Sequence, residues 1–467
     1  MPNLNIQSLK LRDYRCFERI DIDFHPQLTV LVAANGAGKT SILDAVAVAF
    51  GPFIGAFDEA VGKHFEASDI RQYRVRESRT HEMEYAAGGV RLEASGSIPG
   101  SAIDKFQTML NKASESDRRP ATWRRSLSGP TKSKTTIKDA KELIEYGKRL
   151  QEAVRTPGGN ALLPLVAYYG TGRLWQQKKL TENKKIERTS RTVGYADCLD
   201  PASSYKAFVA WFRYWNLNAK EARIIAQETG RTTTATEFDG YIRSVAAAVN
   251  TCLEPVGWKD IEYSISRDAL VAHHDLHGEL PVELLSDGIR NMIGMVADIA
   301  FRTTKLNGHL GSAAASETPG IVLIDEVDMH LHPEWQQVVL QNLMRAFPLM
   351  QFIVTTHSPQ VLSTVRRENI RVIDASADGN TVAAMPIAAT YGEPSGDVMH
   401  SVMQVDPQPP VAEKDDLLRL TEWVDQGRYR DSDAVELLNR LSALLGEQHP
   451  QLQRLRRSIR RQEGLKS

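Results

Sequence analysis

The eight residues Ala33-Ala34-Asn35-Gly36-Ala37-Gly38-Lys39-Thr40 constrain this chain more than any other stretch. They follow a short apolar run, Leu28 to Val32, and lead into Ile42, Leu43, Val46 and Phe50, which recur at helical spacing. Strand, glycine-rich turn and helix in that order match the phosphate-cradling pattern GxxxxGK[ST], with Ala33 standing where the first glycine belongs. In such a turn successive backbone N–H groups converge on phosphate oxygens, and the positive end of the following helix adds to them. Asn35, Gly36, Ala37, Gly38, Lys39, Thr40 and Ser41 are therefore the expected nucleotide-binding residues. Lys39 brings a point charge to the β and γ phosphates of ATP, and Thr40 ligates a Mg²⁺ ion.

A second segment supplies acids. Ile321-Val322-Leu323-Ile324 reads as a buried strand that delivers Asp325 and Glu326 at its end. Asp325 is placed to hold Mg²⁺ through water, and Glu326 to polarise the water that attacks the γ-phosphorus. The bland reading, solvated carboxylates at a strand end, loses weight once the phosphate loop is set beside it. His357 ends the next strand, Phe352 to Thr356, where it can donate a hydrogen bond to a γ-phosphate oxygen, since parallel sheets bind ligands at the carboxyl ends of their strands. Ser286 and Gly288 head a helix with apolar positions Ile289, Met292, Ile293, Val296 and Ile299, and form a second phosphate-binding cap. His330 and His332 alternate beside Asp328, but no cysteine or third histidine completes a metal set, and Pro333 reads as the first residue of a helix.

These patterns place a layered α/β core with parallel strands at the two ends of the chain. Alternation through Ile6, Ser8 and Leu9, and again through Ile20, Ile22 and Phe24, predicts antiparallel strands before the phosphate loop. Ile321 to Ile324, Phe352 to Thr356 and Ile370 to Ile373 are strands, with a helix over Pro333 to Phe347. The middle has helical stretches at Ala140 to Val154 and Ser204 to Trp215 and no sustained heptads, so it reads as a compact helical insertion. Gly308 to Pro319 is expected as a loop, and Pro407, Pro409 and Pro410 mark a linker. The expected units are residues 1–96 and 281–405 as two parts of one head, 97–280 as an inserted, mainly helical lobe, and 411–467 as a helical tail.

Composition bounds the partners. A chain of 467 residues exceeds one ordinary domain, and its 42% apolar and 25% charged residues are those of a soluble globular protein. No apolar run reaches the ~18 residues of a membrane span and Met1 to Phe24 lacks the pattern of a signal peptide, so the expected location is the cytoplasm. Cys16, Cys198 and Cys252 have no paired spacing and are expected to be reduced. A net charge of −1 gives no global drive toward nucleic acid, so such contact must come from local clusters. The candidates are Arg118, Arg119, Arg124, Arg125, Lys132 and Lys134 around Trp123, and Arg454, Arg456, Arg457, Arg460 and Arg461.

Taken in order, the motifs resemble those of the ABC-type ATPase heads of the SMC and RecF group. Leu285-Ser286-Asp287-Gly288 is similar to their signature motif, with Asp287 and Ile289 departing from it; His357 resembles their switch histidine, and Met329 to His332 take the place of their D-loop. The resemblance implies an α/β ABC-ATPase head with a P-loop core, an inserted helical lobe and a C-terminal helical tail. It also implies a head dimer that sandwiches two ATP molecules, each site pairing Lys39 and Glu326 of one subunit with Ser286 of the other. A glutamine joining the lobes is expected, with Gln72 as the candidate. Tyr168-Tyr169-Gly170-Thr171-Gly172-Arg173-Leu174-Trp175 and Asp325 to Pro333 resemble small bacterial virulence-associated and anti-phage ATPases, including those of Septu and retron-linked complexes.

That likeness implies an ATP-dependent sensor or regulator holding a separate effector nuclease in check. Related ATPases that cut nucleic acid carry a nuclease domain after the head, whereas about ninety residues follow Asp374 here, in a helical pattern. No nuclease centre is expected in this chain, and the tail is the expected dock for a nuclease in trans. The alternative is a RecF- or SMC-like ATPase that clamps DNA in repair. A transporter ATPase is disfavoured, because no membrane partner signal opens the chain and the insertion is long.

Overall fold

The computed structural model describes residues 3–74, 83–100, 120–131, 133–173, 190–201, 205–229, 236–375 and 381–465. Expectations for Arg118, Arg119, Lys132, Leu174, Trp175 and the Arg173 side chain lie outside these residues. The chain forms two compact units, Met1–Val398 and Met399–Ser467.

The first unit is built on a six-stranded sheet. In chain order its strands are β3 (Leu28–Val32), β8 (Leu165–Tyr169), β12 (Gly320–Ile324), β13 (Met350–Thr355), β14 (Ile370–Ala375) and β15 (Thr381–Ala384). Across the sheet the order is β15-β14-β3-β13-β12-β8, parallel except for the antiparallel edge strand β15. Every residue of β3, β8, β12 and β13 is buried, as expected of parallel strands covered on both faces.

A second, antiparallel sheet runs β2-β1-β6-β7, formed by β1 (Ser8–Tyr14), β2 (Phe17–Asp23), β6 (Val90–Gly96) and β7 (Ala121–Leu127). Its strands alternate buried and exposed positions, because only one face meets the core. Helix α1 (Lys39–Ile54) is buried along nearly its whole length and on all sides, which is what a helix packed against both sheets requires. Trp123 Nε1 donates to Ala49 O at 3.0 Å, and Arg125 Nη1 donates to Val48 O at 2.8 Å, tying β7 to that helix. The small hairpin of β4 (Gln72–Arg74) and β5 (Met83–Tyr85) and the sheet β11-β10-β9 complete the strands described; β9 is Trp258–Ser264, β10 Ala269–His274 and β11 Gly278–Pro281.

The stretch expected as a mainly helical insertion is corrected by these pairings. It does hold α2 (Lys141–Arg155), α3 (Tyr205–Glu228) and α4 (Glu237–Leu253). It also gives β7 to the antiparallel sheet and β8 to the parallel one, where Leu165 pairs with Gly320 and Tyr169 with Ile324. The five buried residues of β8 pair with a strand more than 150 positions later, so nothing local placed them in the parallel sheet. Gly308 to Pro319, expected as a loop, is 3₁₀-helical over Gly308–Ala313 and α-helical over Ala314–Glu317. The helix expected from Pro333 to Phe347 is two pieces, Pro333–Gln336 and Val339–Ala346.

The signature segment heads α5 (Asp287–Leu306). The second unit holds α6 (Lys414–Asp425), α7 (Ser432–Leu445) and α8 (Pro450–Gly464) around a core of Leu417, Leu420, Val424, Leu437, Leu441 and Leu452. It begins at Met399, so the proline-rich stretch belongs to it.

Candidate nucleotide site

Three neighbouring strands deliver the chemistry to one end of the parallel sheet. β3 runs into the phosphate loop, β12 into Asp325 and Glu326, and the strand between them, β13, into Thr356 and His357. In the loop Gly36 and Gly38 have φ of 78° and 93°, the left-handed region that glycine enters without strain. A Cβ at Gly38 would also overlap the ring of Phe17 and the Sγ of Cys16, so the β1–β2 turn buttresses the loop from behind. Ala33 is absent from the positive-φ residues, so alanine is compatible with the backbone at the place of the first glycine.

Helix α1 starts without a side-chain cap, because its N-cap is Gly38. The first N–H groups of the helix have no partner within it, and an anion is what such an end accepts. Lys39 is 7% exposed and its Nζ donates to Ala33 O at 3.0 Å and Ala34 O at 3.2 Å. Burial pushes the Lys39 amine below the ordinary lysine value, against the opposing pull of Asp325, Glu326 and Asp328. A buried cation facing an uncapped helix end fits a polyphosphate.

Thr40 Oγ1 donates to Asp325 Oδ2 at 2.7 Å across 285 residues of sequence. Thr355 Oγ1 donates to Asp325 Oδ1 at 2.6 Å and accepts from the Glu326 N–H at 2.7 Å. A single hydroxyl at the end of β13 thus orients the first acid and fixes the backbone of the second. Glu326 itself has φ of 48°, an uncommon conformation for a non-glycine residue and one that turns the chain sharply at the strand end. Asp325 donates its N–H to Tyr169 O at 2.8 Å, and Val327 donates to Thr355 O at 3.0 Å. The oxygens of Thr40 and Asp325 form the hard donor set a divalent cation takes, so these residues would hold one beside the phosphates.

Around this centre the structure adds residues that the sequence reading missed. Thr356 Oγ1 donates to Asp328 Oδ1 at 2.5 Å, and Ser358 Oγ donates to Gln336 Oε1 at 2.7 Å, joining the segment around His357 to the turn after Glu326. Arg15 bridges Asp44 at 2.7 Å and Asp69 at 2.8 Å, and Lys63 also meets Asp44 at 2.6 Å, beneath the phosphate loop. Of these, only the Thr355-Thr356-His357 run at a strand end carries a sequence signal, and in it the histidine is the residue whose chemistry stands out.

Ser286 and Gly288 lie at the head of α5. Ser286 is exposed at the N-cap of α5, makes no side-chain cap, and shares no hydrogen bond with the phosphate loop among the described residues. Gly288 is buried, and a Cβ there would overlap the carbonyl oxygen of His330, whose φ is 62°. The head of α5 is therefore packed on the Met329 to His332 turn of the same chain. Asp287 and Arg290 form an ion pair on its outer side. His332 accepts from the Glu334 N–H at 3.4 Å as the cap of the next short helix.

Gln72 is exposed at the start of β4 and pairs with Tyr85. The expectation that Trp123 and Arg125 contact nucleic acid is overturned: they are 2% and 1% exposed, and Arg125 donates to Val48 O and Thr136 O inside the core. Burial brings the Arg125 pKa down to about 10. Arg124 is exposed and pairs with Glu93 at 2.6 Å.

The comparisons agree with this geometry. Residues 8–207 match the family model described as an AAA domain, and residues 242–363 match a second AAA-domain model, whose description includes AbiEii toxin and type IV toxin–antitoxin system. "Retron Vc95 probable ATPase" of Vibrio cholerae serotype O1 biovar El Tor is 24% identical over 89% of this chain and 82% of its own. "Retron Ec83 probable ATPase" of Escherichia coli is 25% identical over 98% and 86%. "Septu protein PtuA" of Bacillus thuringiensis is 28% identical over 25% of this chain and 29% of its own. With AAA-domain models matching residues 8–207 and 242–363, and with a phosphate loop, a strand-end acid pair and a parallel sheet that joins them, this chain carries AAA-type ATPase domains.

Proposed function

We propose that the chain is the ATP-hydrolysing sensor and regulatory subunit of a bacterial anti-phage defence complex, working in the cytoplasm and controlling a separate effector nuclease. The observation that carries the enzymatic part is the convergence of Lys39, Thr40, Asp325 and Glu326 at one sheet end, joined by the 2.7 Å bond from Thr40 to Asp325. The defence context is supported by the retron and Septu names of its relatives.

In this reading the N–H groups from Asn35 to Ser41 and the Lys39 amine take the phosphates of ATP. Thr40 and Asp325 would hold a Mg²⁺ ion, which would supply charge neutralisation at the phosphates. Glu326 accepts a proton from the water that attacks the γ-phosphorus, and ADP leaves with the bridging oxygen. His357 donates a hydrogen bond to a γ-phosphate oxygen. Ser286 and Gly288 serve the site of a second subunit, a role favoured by the exposed Ser286 at an uncapped helix start outside its own chain's phosphate loop. Turnover is slow, occupancy holds the dimer, and the effector docks on the unit that begins at Met399.

Glu326→Gln and Lys39→Ala test the assignment. The first variant is expected to bind ATP, accumulate as an ATP-dependent dimer and lose hydrolysis, while the second loses nucleotide affinity. Equal loss of ATP affinity in both would sink the roles given to these residues. Co-purification of a nuclease encoded beside this gene tests the regulatory part, and deletion of residues 399–467 is expected to abolish it.

A further inference from the structure

The last helix carries a charge arrangement that ATP hydrolysis does not use. α8 contains five arginines, one glutamate and no lysine. Leu452 and Leu455 lie in the core of the second unit, with Ile459 packed against it. At about 100° per residue, Arg454, Arg457, Arg460 and Arg461 fall within an arc of about 120° on the side away from that apolar stripe. All four are exposed.

Their surroundings set them apart. Every other lysine and arginine among the described residues of this unit has a carboxylate within 3.8 Å. The single glutamate of the helix, Glu463, is on its other side and pairs with Arg430 at 3.4 Å. Arg454, Arg457, Arg460 and Arg461 make no ion pair among the described residues. Four like charges within about 10 Å of helix axis repel one another unless an external anion compensates them.

The chemistry of the face selects the anion. All four charges are guanidinium forks, which grip phosphate oxygens in pairs where an ammonium meets them as a point. Duplex nucleic acid presents about six charges over the same ~10 Å, enough to engage all four. A protein partner would need an apolar or aromatic anchor at the centre of the contact, and this arc has none. A membrane surface would need the apolar side of the helix, which is already buried in the core. We propose that the arginine face of α8 binds nucleic acid through its sugar–phosphate backbone.

The test uses the full chain and fluorescence anisotropy with labelled duplex DNA, single-stranded DNA and single-stranded RNA, without ATP. The variant Arg454→Gln, Arg457→Gln, Arg460→Gln, Arg461→Gln is expected to lose at least tenfold in affinity for the preferred probe. For a duplex its salt slope is expected to fall by up to about 0.9 per arginine removed. The matching lysine variant is expected to keep most of the slope while binding more weakly. Arg428→Gln with Arg430→Gln, whose charges are already paired, is expected to bind as the parent does. Lys39→Ala is expected to bind as the parent does too, so a failed nucleotide site and a failed arginine face are told apart. Unchanged affinity and slope in the fourfold glutamine variant, an equal loss in the paired control, or no binding of any probe by the parent would each overturn the proposal. An unaltered ATPase rate and melting point in the fourfold variant show that the fold is intact.

Discussion

Thr355 is the residue on which the acid pair depends. Its hydroxyl gives its proton to Asp325 and takes the Glu326 N–H, so one side chain orients the first carboxylate and holds the backbone that carries the second. Thr355→Val keeps the shape and removes both bonds, leaving the buried Asp325 oxygen and the Glu326 N–H without them. Supports of this kind typically carry 10- to 100-fold in activity, so kcat for ATP hydrolysis is expected to fall by about that factor while ATP affinity in the absence of divalent cation changes little. Thr355→Ser is expected to restore most of the rate. A valine variant with parental kcat would show that the acids are held by other means. At Gly38 the argument is steric: φ is 93° and the Cβ direction is filled by Phe17 and Cys16. Gly38→Ala is therefore expected to abolish ATP binding, read by calorimetry, even though Lys39 and Thr40 are untouched. Lys39, Thr40, Asp325 and Glu326 could be read from the sequence because each lies in a local pattern tied to a strand end. Thr355 could not, since its partner lies 30 residues away and nothing local distinguishes it from a core threonine.

Among the elements, the link between α5 and the sheet decides how the signature segment is anchored. Tyr169, the last residue of β8, donates its hydroxyl to Asp298 Oδ2 at 2.8 Å, and Arg302 Nε donates to the same oxygen at 2.7 Å. Arg302 Nη1 also donates to Gly194 O at 3.0 Å and Ala196 O at 2.8 Å. Burial, then the charge of Asp298, holds the Tyr169 hydroxyl well above its ordinary pKa, so it remains a donor. The backbone carbonyl of the same Tyr169 receives the Asp325 N–H. Helix α5 is thus tied through one strand end to the acid pair. Arg302→Met would leave Asp298 charged and buried at 2% exposure. Breaking such a pair costs about 3–5 kcal/mol, expected as a lower urea midpoint at unchanged slope. A midpoint shift of under about 1 kcal/mol would mean that the carboxylate finds water or another donor. The sequence hid this link because β8 pairs with a strand 155 positions later, Leu165 with Gly320, and sheet order leaves no local trace. Strand β3 was legible because its own flanks, a glycine loop and a helix, declare what it is.

At the scale of the whole chain the division after Val398 makes a prediction about truncation. Every residue assigned to the nucleotide site lies before that point. The second unit has its own core, in which Leu417 and Leu420 of α6 meet Leu437 and Leu441 of α7 and Leu452 and Leu455 of α8. A chain ending at Val398 removes that core entire and leaves no half of it behind. It is expected to bind ATP within about twofold of the parent, a difference of about 0.4 kcal/mol. A chain ending at Glu422 instead keeps most of α6 and strips away its partners. Leu417 and Leu420 are 3% and 1% exposed in the intact unit, and each returned to water forfeits about 1.5–3 kcal/mol of burial. The longer truncated chain is therefore expected to aggregate while the shorter one stays monodisperse, as read by light scattering after size exclusion. The opposite ranking, or loss of ATP binding in the chain that ends at Val398, would show that the two units do not fold as separate cores.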